Sequence, residues 1–258
     1  MNNVPTRASF DITAIARSYN VLAHESELRI LAEQAFPGRS LERKKKADLH
    51  QLINTFLFEQ FRGESALKAK LVQQFLDQDV VAAFEIKVNK SRVDFLTING
   101  QTKSFEIKSE LDNLQKLPKQ ISDYQRVFDY NYIVIDEKHY NNALRLIHPQ
   151  YGIQVLHGNA LLETRPAMLN RQHDPLAQLS LFTKKEFAQT FRIPGITKEE
   201  ALINFTTEEI NDCFKAMLKN RYVKRWRFLL SHQRQILPID FQYFFQHNIA
   251  PAIIYGLS

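Results

Sequence analysis

Between residues 84 and 156 the hydrophobic pattern changes period again and again, and few architectures accept that order. Residues 84–88, 92–98 and 104–108 are short, rich in β-branched and aromatic side chains, and separated by turns, which reads as three strands. Residues 117–128 return to helical spacing, with Pro118 acceptable in a first turn. A buried strand over 132–135, a helix over 139–147 and a strand over 152–156 follow. A meander, then strands alternating with helices, implies a mixed sheet covered by helices: an α/β (α+β) fold.

Upstream, residues 11–34 read as two short helical pieces that end at the Pro37-Gly38 turn. Amphipathic patterns follow over 49–61 and 65–75, separated by Gly63. In the first, Leu49, Ile53, Phe56, Leu57 and Phe61 recur at helical spacing. From about residue 159 onward the pattern is mainly helical, broken by Pro166, Pro175, Pro194, Pro238 and Pro251. The division expected is a helical extension over 1–46, a core over 47–158, and a basic, mainly helical region over 159–258.

Composition narrows the function classes. With 44% hydrophobic and 24% charged residues among 258, a packed core is within reach. No apolar run approaches the roughly 20 residues of a membrane-spanning helix, and residues 1–10 lack a signal-peptide core. The single cysteine, Cys213, excludes an internal disulfide and a cysteine-rich zinc site. A cytoplasmic protein without a membrane partner is expected. Eight histidines include no His-x-x-x-His pair, and with seven glycines and no phosphate-binding loop a nucleotide-driven enzyme is excluded unless a partner supplies the motor.

Charge points to a polyanion. The formal net charge is +6, yet residues 213–239 hold no acid and seven bases, among them Lys219, Arg221, Lys224, Arg225 and Arg227. A second cluster, Arg39 and Arg43 to Lys46, lies upstream. Such patches suit a phosphate backbone; the alternative is a solvated helix face. Phe214, Leu218, Tyr222 and Trp226 follow one another four apart and read as a core stripe rather than a base-stacking surface.

The candidate chemistry is metal-assisted phosphodiester hydrolysis, which needs oxygen ligands for a hard cation and a group to align water. Glu-x-Lys occurs three times, at Glu42, Glu85 and Glu106, and two copies are the identical Phe-Glu-Ile-Lys. Only Glu106-Ile107-Lys108 follows an aspartate, Asp94, on a preceding strand joined through a hairpin at Asn99-Gly100. On one strand Glu106 and Lys108 share a face. A two-residue loop would set Asp94 opposite Phe105 and destroy the site. A three-residue connection or a G1 bulge sets Asp94 level with Glu106, so the functional reading demands one of these.

Ser91-Arg92-Val93-Asp94, then Phe105-Glu106-Ile107-Lys108-Ser109-Glu110 with Asp112, then Leu117, Gln120 and Tyr124, resemble the PD-(D/E)XK nuclease superfamily, in a branch of small bacterial proteins. Val93 stands where that signature has proline. The likeness covers about 80–156 and extends loosely around 176–187 and 221–225. It implies a restriction-endonuclease-like fold and a Mg²⁺-dependent phosphodiesterase, endo- or exonuclease, with Mn²⁺ as an alternative ion. Asp94, Glu106 and the Ile107 carbonyl would ligate the metal, and Lys108 would orient the attacking water. Glu85 would bind a second ion, complete the ligand set of the first, or be an exposed strand residue. Gln120 and Tyr124, one helical turn apart, would meet Lys108 or the phosphate, or pack on the sheet. Arg92 would pair with a phosphate or with Glu85, and Glu110 and Asp112 read as a capping and solvating pair. DNA is favoured over RNA. The alternatives are a silent nucleic-acid-binding module with the same fold, or a defence or toxin nuclease with a protein partner; a homodimer is also open.

Overall fold

The period changes are realised in order in the computed structural model, which describes residues 11–256. The segment read for a signal peptide, residues 1–10, lies outside the described residues. Helices α1 (Ile12–Ser18), α2 (Glu25–Ala35) and α3 (Lys46–Gln60) close their apolar faces on a cluster that includes Ile15, Leu28, Leu49 and Ile53. Helix α4 (Glu64–Gln73) starts directly after Gly63. A side chain at Gly63 would meet the Phe61 ring at 2.1 Å, so a larger residue here would have to displace that ring.

The meander is β1 (Val81–Val88), β2 (Ser91–Ile98) and β3 (Thr102–Lys108). Helix α5 (Leu117–Gln125) leads to β4 (Tyr130–Asp136), and α6 (Tyr140–Leu146) leads to β5 (Gly152–His157). A sixth strand, β6 (Ala160–Arg165), is not read from the sequence; beyond it the described region is mainly helical, as expected. It is an edge strand with little buried surface, so it carries no clear alternation. The six strands lie in chain order; β3, β4 and β5 run parallel to one another, and the pairs β1–β2, β2–β3 and β5–β6 are antiparallel. Helices flank this mixed sheet, as the α+β reading requires.

Alternation sorts the side chains. Ile133 and Ile135 of β4 pack with Leu117, Ile121, Ala143 and Ile147 beside α5 and α6, while Tyr132 and Val134 join the main core. That core also takes in the C-terminal helices: α7 (Pro175–Ser180), α8 (Lys184–Phe191), α9 (Lys198–Asn204), α10 (Thr207–Ser231), α11 (Phe241–His247) and α12 (Pro251–Tyr255). Helices α8, α9 and α10 each begin with a Thr-x-x-Glu capping box: Thr183 with Glu186, Thr197 with Glu200, Thr206 with Glu209. Along α10, Phe214, Leu218 and Trp226 are buried and Tyr222 is half-buried against the core, so the aromatic stripe is a packing element. Trp226 meets Phe95 of β2 with ring centres 6.3 Å apart. Among the described residues no helix is long and apolar enough to cross a membrane.

The two ends of the described chain meet in a buried polar clasp. Tyr19 and Tyr255 both donate to Asp240 Oδ2, at 3.0 and 2.7 Å. Asn54 Oδ1 accepts from the Ile239 amide at 3.1 Å, and His50 Nδ1 lies 3.0 Å from the Tyr19 hydroxyl. Burial pushes the Asp240 carboxyl up to about 7, against the opposing pull of its phenol hydrogen bonds.

Candidate metal centre and catalytic cleft

The turn between β2 and β3 decides whether a site exists. Ile98 pairs with Thr102 across a three-residue loop, 99–101, with Gly100 at φ +66°. The ladder runs back to Phe95 opposite Phe105, which sets Asp94 level with Glu106. There the strands part, and the Asp94 carboxylate accepts the Ile107 amide at 2.7 Å. Of the registers weighed from sequence, the one the site requires is the one present. Asp94, Glu106, Ile107 and Lys108 line a single open cleft of about 660 Å³.

Glu106 is almost fully enclosed and saturated with donors. Lys108 Nζ lies 2.6 Å from Oε1, Gln120 Nε2 donates to the same oxygen, and the Tyr124 hydroxyl donates to Oε2 at 2.8 Å. Gln120 and Tyr124 therefore act on Glu106 rather than on Lys108. Burial raises the Glu106 carboxyl above its ordinary range, although Lys108, Tyr124 and Gln120 pull the other way. Asp94 is pushed up to about 8, first by burial and then by the Glu106 charge, with Lys68 and the Ile107 amide opposing. Burial and Glu106 also raise the Tyr124 phenol, which keeps it a hydrogen-bond donor.

A second group of acids forms against this one. Glu64, Glu85 and Asp94 bring carboxylate oxygens within 4.8 Å of one another. Glu85 falls opposite Asp94, between the rungs Phe84–Phe95 and Ile86–Val93, and adopts φ +58°. A left-handed glutamate inside a strand costs about 1 kcal/mol or more, and here it turns the side chain toward α4. Lys68 Nζ receives it at 2.6 Å, and also lies 2.8 Å from Glu64 Oε1 and 2.9 Å from Gln242 Oε1 of α11. Burial alone would lower the Lys68 ammonium, but Asp94, Glu64 and Glu85 together hold it above its ordinary value. Arg92 Nε lies 2.5 Å from Glu85 Oε2, so Arg92 pairs with Glu85, one of the two partners expected for it.

Thus two of the three carboxylates that gather here, Glu85 and Asp94, are among those named from sequence. Glu64 was missed, and Glu106 is occupied by Lys108, Gln120 and Tyr124. The spacing Glu64–Lys68 on α4 is the signal that sequence offers for this pair, since i,i+4 opposite charges meet on a helix, and Lys68 sits among the buried Ala66, Leu67, Ala69 and Leu71. The donors these carboxylates offer are all oxygens, a set whose chemistry fits a hard divalent cation such as Mg²⁺ or Mn²⁺. Asp112 accepts from the Ser109 amide at 2.8 Å and so closes a turn beside the cleft instead of capping a helix; Glu110 lies 3.7 Å from Arg62.

The bases of the cleft differ from the bases singled out on α10. Lys90, Lys116 and Lys119 line the cleft with Arg92 and Lys108. Lys219, Arg221, Lys224, Arg225 and Arg227 line neither this cleft nor the adjoining one of about 620 Å³ that meets it at Glu64 and Arg92. Arg221 is bound to Glu186, at 2.6 Å, and to the Leu181 carbonyl, while Lys219, Lys224, Arg225 and Arg227 are exposed.

A sequence-family profile described as bacteriophage P4 protein cII matches residues 58–244. The chain belongs to that family. In this member of the P4 cII family the matched span holds Glu64, Lys68, all six strands, α5 and Gln242, hence every residue of the cleft described above. No curated protein sequence matches the chain. A solved structure of a protein of unknown function from Silicibacter pomeroyi aligns with TM-score 0.35 and 18% identity, over 51% of this chain and 92% of that one.

Proposed function

We propose that this P4 cII family member is a cytoplasmic, metal-dependent nuclease that hydrolyses phosphodiester bonds, with DNA favoured over RNA. The observation that carries the reading is the convergence of Glu64, Glu85 and Asp94 within 4.8 Å beside the Glu106–Lys108 pair in an open cleft. The resemblance of the Asp94, Glu106 and Lys108 pattern to PD-(D/E)XK nucleases supports it independently.

Asp94, with Glu85 and the Glu64 oxygen that Lys68 leaves free, would hold Mg²⁺ or Mn²⁺, while Glu106 stays bound to its three donors. When bound, the ion would polarise the phosphate and lower the pKa of the attacking water. Lys108, fixed by Glu106, presents its ammonium to that water or to a phosphate oxygen. Gln120 and Tyr124 restrain the Glu106 carboxylate and therefore Lys108. Lys90, Lys116 and Lys119 supply positive charge on the cleft wall for flanking phosphates. The free Cys213 accords with a reducing compartment.

The test is cleavage of labelled single- and double-stranded DNA and RNA with Mg²⁺ or Mn²⁺. Wild-type protein should cut DNA, Lys108→Ala should retain metal binding and lose cleavage, and Asp94→Ala should lose both. The absence of cleavage of every substrate would pass the fold to a nucleic-acid-binding role.

A further inference from the structure

Two enclosed lysines meet the carboxylates, where metal-assisted hydrolysis needs one. Lys108 faces the Glu106 carboxylate, while Lys68 comes from α4 and serves a different pair of acids. Its side chain is 7% exposed, and its ammonium lies 2.8 Å from Glu64, 2.6 Å from Glu85 and 2.9 Å from Gln242. These three acceptors match the three donors of an ammonium group. Glu64 and Glu85, with Asp94, are the acids that gather within 4.8 Å, so Lys68 sits where a cation shared by Glu64 and Glu85 would sit.

We infer that Lys68 is a built-in substitute for a second metal ion, and that the site takes one divalent cation. The inference rests on the metal-dependent reading above and adds the number of ions to it. Charge supports the count. Four carboxylates (Glu64, Glu85, Asp94 and Glu106) face three cationic groups, the Lys68 and Lys108 ammonium groups and the Arg92 guanidinium that pairs with Glu85. One negative charge remains, which one divalent cation already outweighs; a second would add two more positive charges to a half-enclosed cleft. Geometry agrees. Both oxygens of Glu106 already accept hydrogen bonds, and Lys68 holds one oxygen each of Glu64 and Glu85. Two-metal hydrolytic sites keep their ions about 3.5–4 Å apart, and here the carboxylates that would hold the second ion are drawn onto Lys68. Gln242 contributes from α11: its oxygen accepts from Lys68 without adding charge, so the C-terminal helices hold the ammonium in place. Lys68 touches no reacting atom on this reading; it is a positioning residue.

The experiment counts Mn²⁺ bound to the full chain by equilibrium titration and by electron paramagnetic resonance, without nucleic acid. Wild type should bind one ion per chain with an uncoupled signal. Lys68→Met, which keeps the volume and removes the charge, should bind two, with the broadened spectrum of a spin-coupled pair. Lys68→Arg should stay at one. Two ions on the wild-type chain would overturn the inference and leave the metal-dependent reading standing; this count needs no variant to fold. A count of one for both wild type and folded Lys68→Met would also overturn it. No ion on the wild-type chain would remove the inference together with the reading beneath it.

Discussion

The tetrapeptide Phe-Glu-Ile-Lys occurs twice in the sheet, and the two copies do different things. In β3, a central strand, Glu106 and Lys108 are both enclosed and lie 2.6 Å apart. In β1, at the sheet edge, Lys87 is exposed and Glu85 turns through φ +58° to reach Lys68 and Arg92. An edge strand has one neighbour to satisfy, so it can absorb a left-handed residue that a central strand cannot. The copies also face different helices: Glu106 receives Gln120 and Tyr124 from α5, and Glu85 receives Lys68 from α4. Identical local sequence acquires its role from strand position and from the helix laid against it.

The sharpest way to break this comparison is to delete each lysine. Lys108→Ala should lower cleavage by roughly 10²–10⁴-fold, the range of a lost acid–base group, whereas Lys87→Ala should cleave at the wild-type rate. Equal effects in a single-turnover assay would show that the β3 copy has no special part.

Asp94 stands between the copies, level with both glutamates, and its carboxyl is pushed up to about 8. A proton therefore competes with the metal, and Mn²⁺ affinity should rise up to about tenfold per pH unit until pH reaches about 8. The sign for stability is the reverse. In the ion-free chain the folded state holds a proton that the unfolded state releases near pH 4, so stability falls as pH rises from about 4 to about 8. Asp94→Asn should flatten that fall, gaining at most a few kcal/mol over wild type at pH 8 and nothing below pH 4, as read by chemical denaturation. Parallel curves for the two proteins would remove Asp94 as the titrating group.

A smaller effect separates the bases near the copies from the bases of α10. The pair Lys90→Ala and Lys116→Ala should weaken DNA binding by about tenfold at 50 mM salt and reduce the salt slope by up to about two. Reversing Lys219, Lys224 and Arg225 to Glu should change the slope less, because those side chains lie off the cleft. The opposite ranking would return the phosphate contact to α10.

The smallest effect sharpens the comparison by touching only the β3 copy. Tyr124→Phe removes one donor to Glu106 and should cost about 1 kcal/mol of stability, with no change in a thermal melt expected for Lys87→Ala.

Much of this was legible before any coordinates. The requirement that Asp94 and Glu106 share a level called for a three-residue or bulged connection, and the resemblance to PD-(D/E)XK nucleases pointed to Gln120 and Tyr124. Glu64 was not legible because it lies just outside the apolar repeat of 65–75, and its importance depends on where α4 lands. The left-handed Glu85 leaves no trace in sequence, since its twin in β3 has the same neighbours. Strand β6 did leave one: His157 pairs with Ala160 around Gly158-Asn159, a two-residue hairpin signal that the scarcity of buried positions obscured.

The clasp at Asp240 has a consequence for biosynthesis. Tyr19 and its carboxylate partner are separated by 221 residues. At a translation rate of 5–20 residues per second, α1 to α3 leave the ribosome roughly 10–40 s before Asp240 exists. Throughout that interval Tyr19 lacks Asp240, Asn54 lacks the Ile239 amide, and Lys68 lacks Gln242. The acid-rich cleft therefore reaches its final form only after the segment that carries Asp240 and Gln242 has emerged.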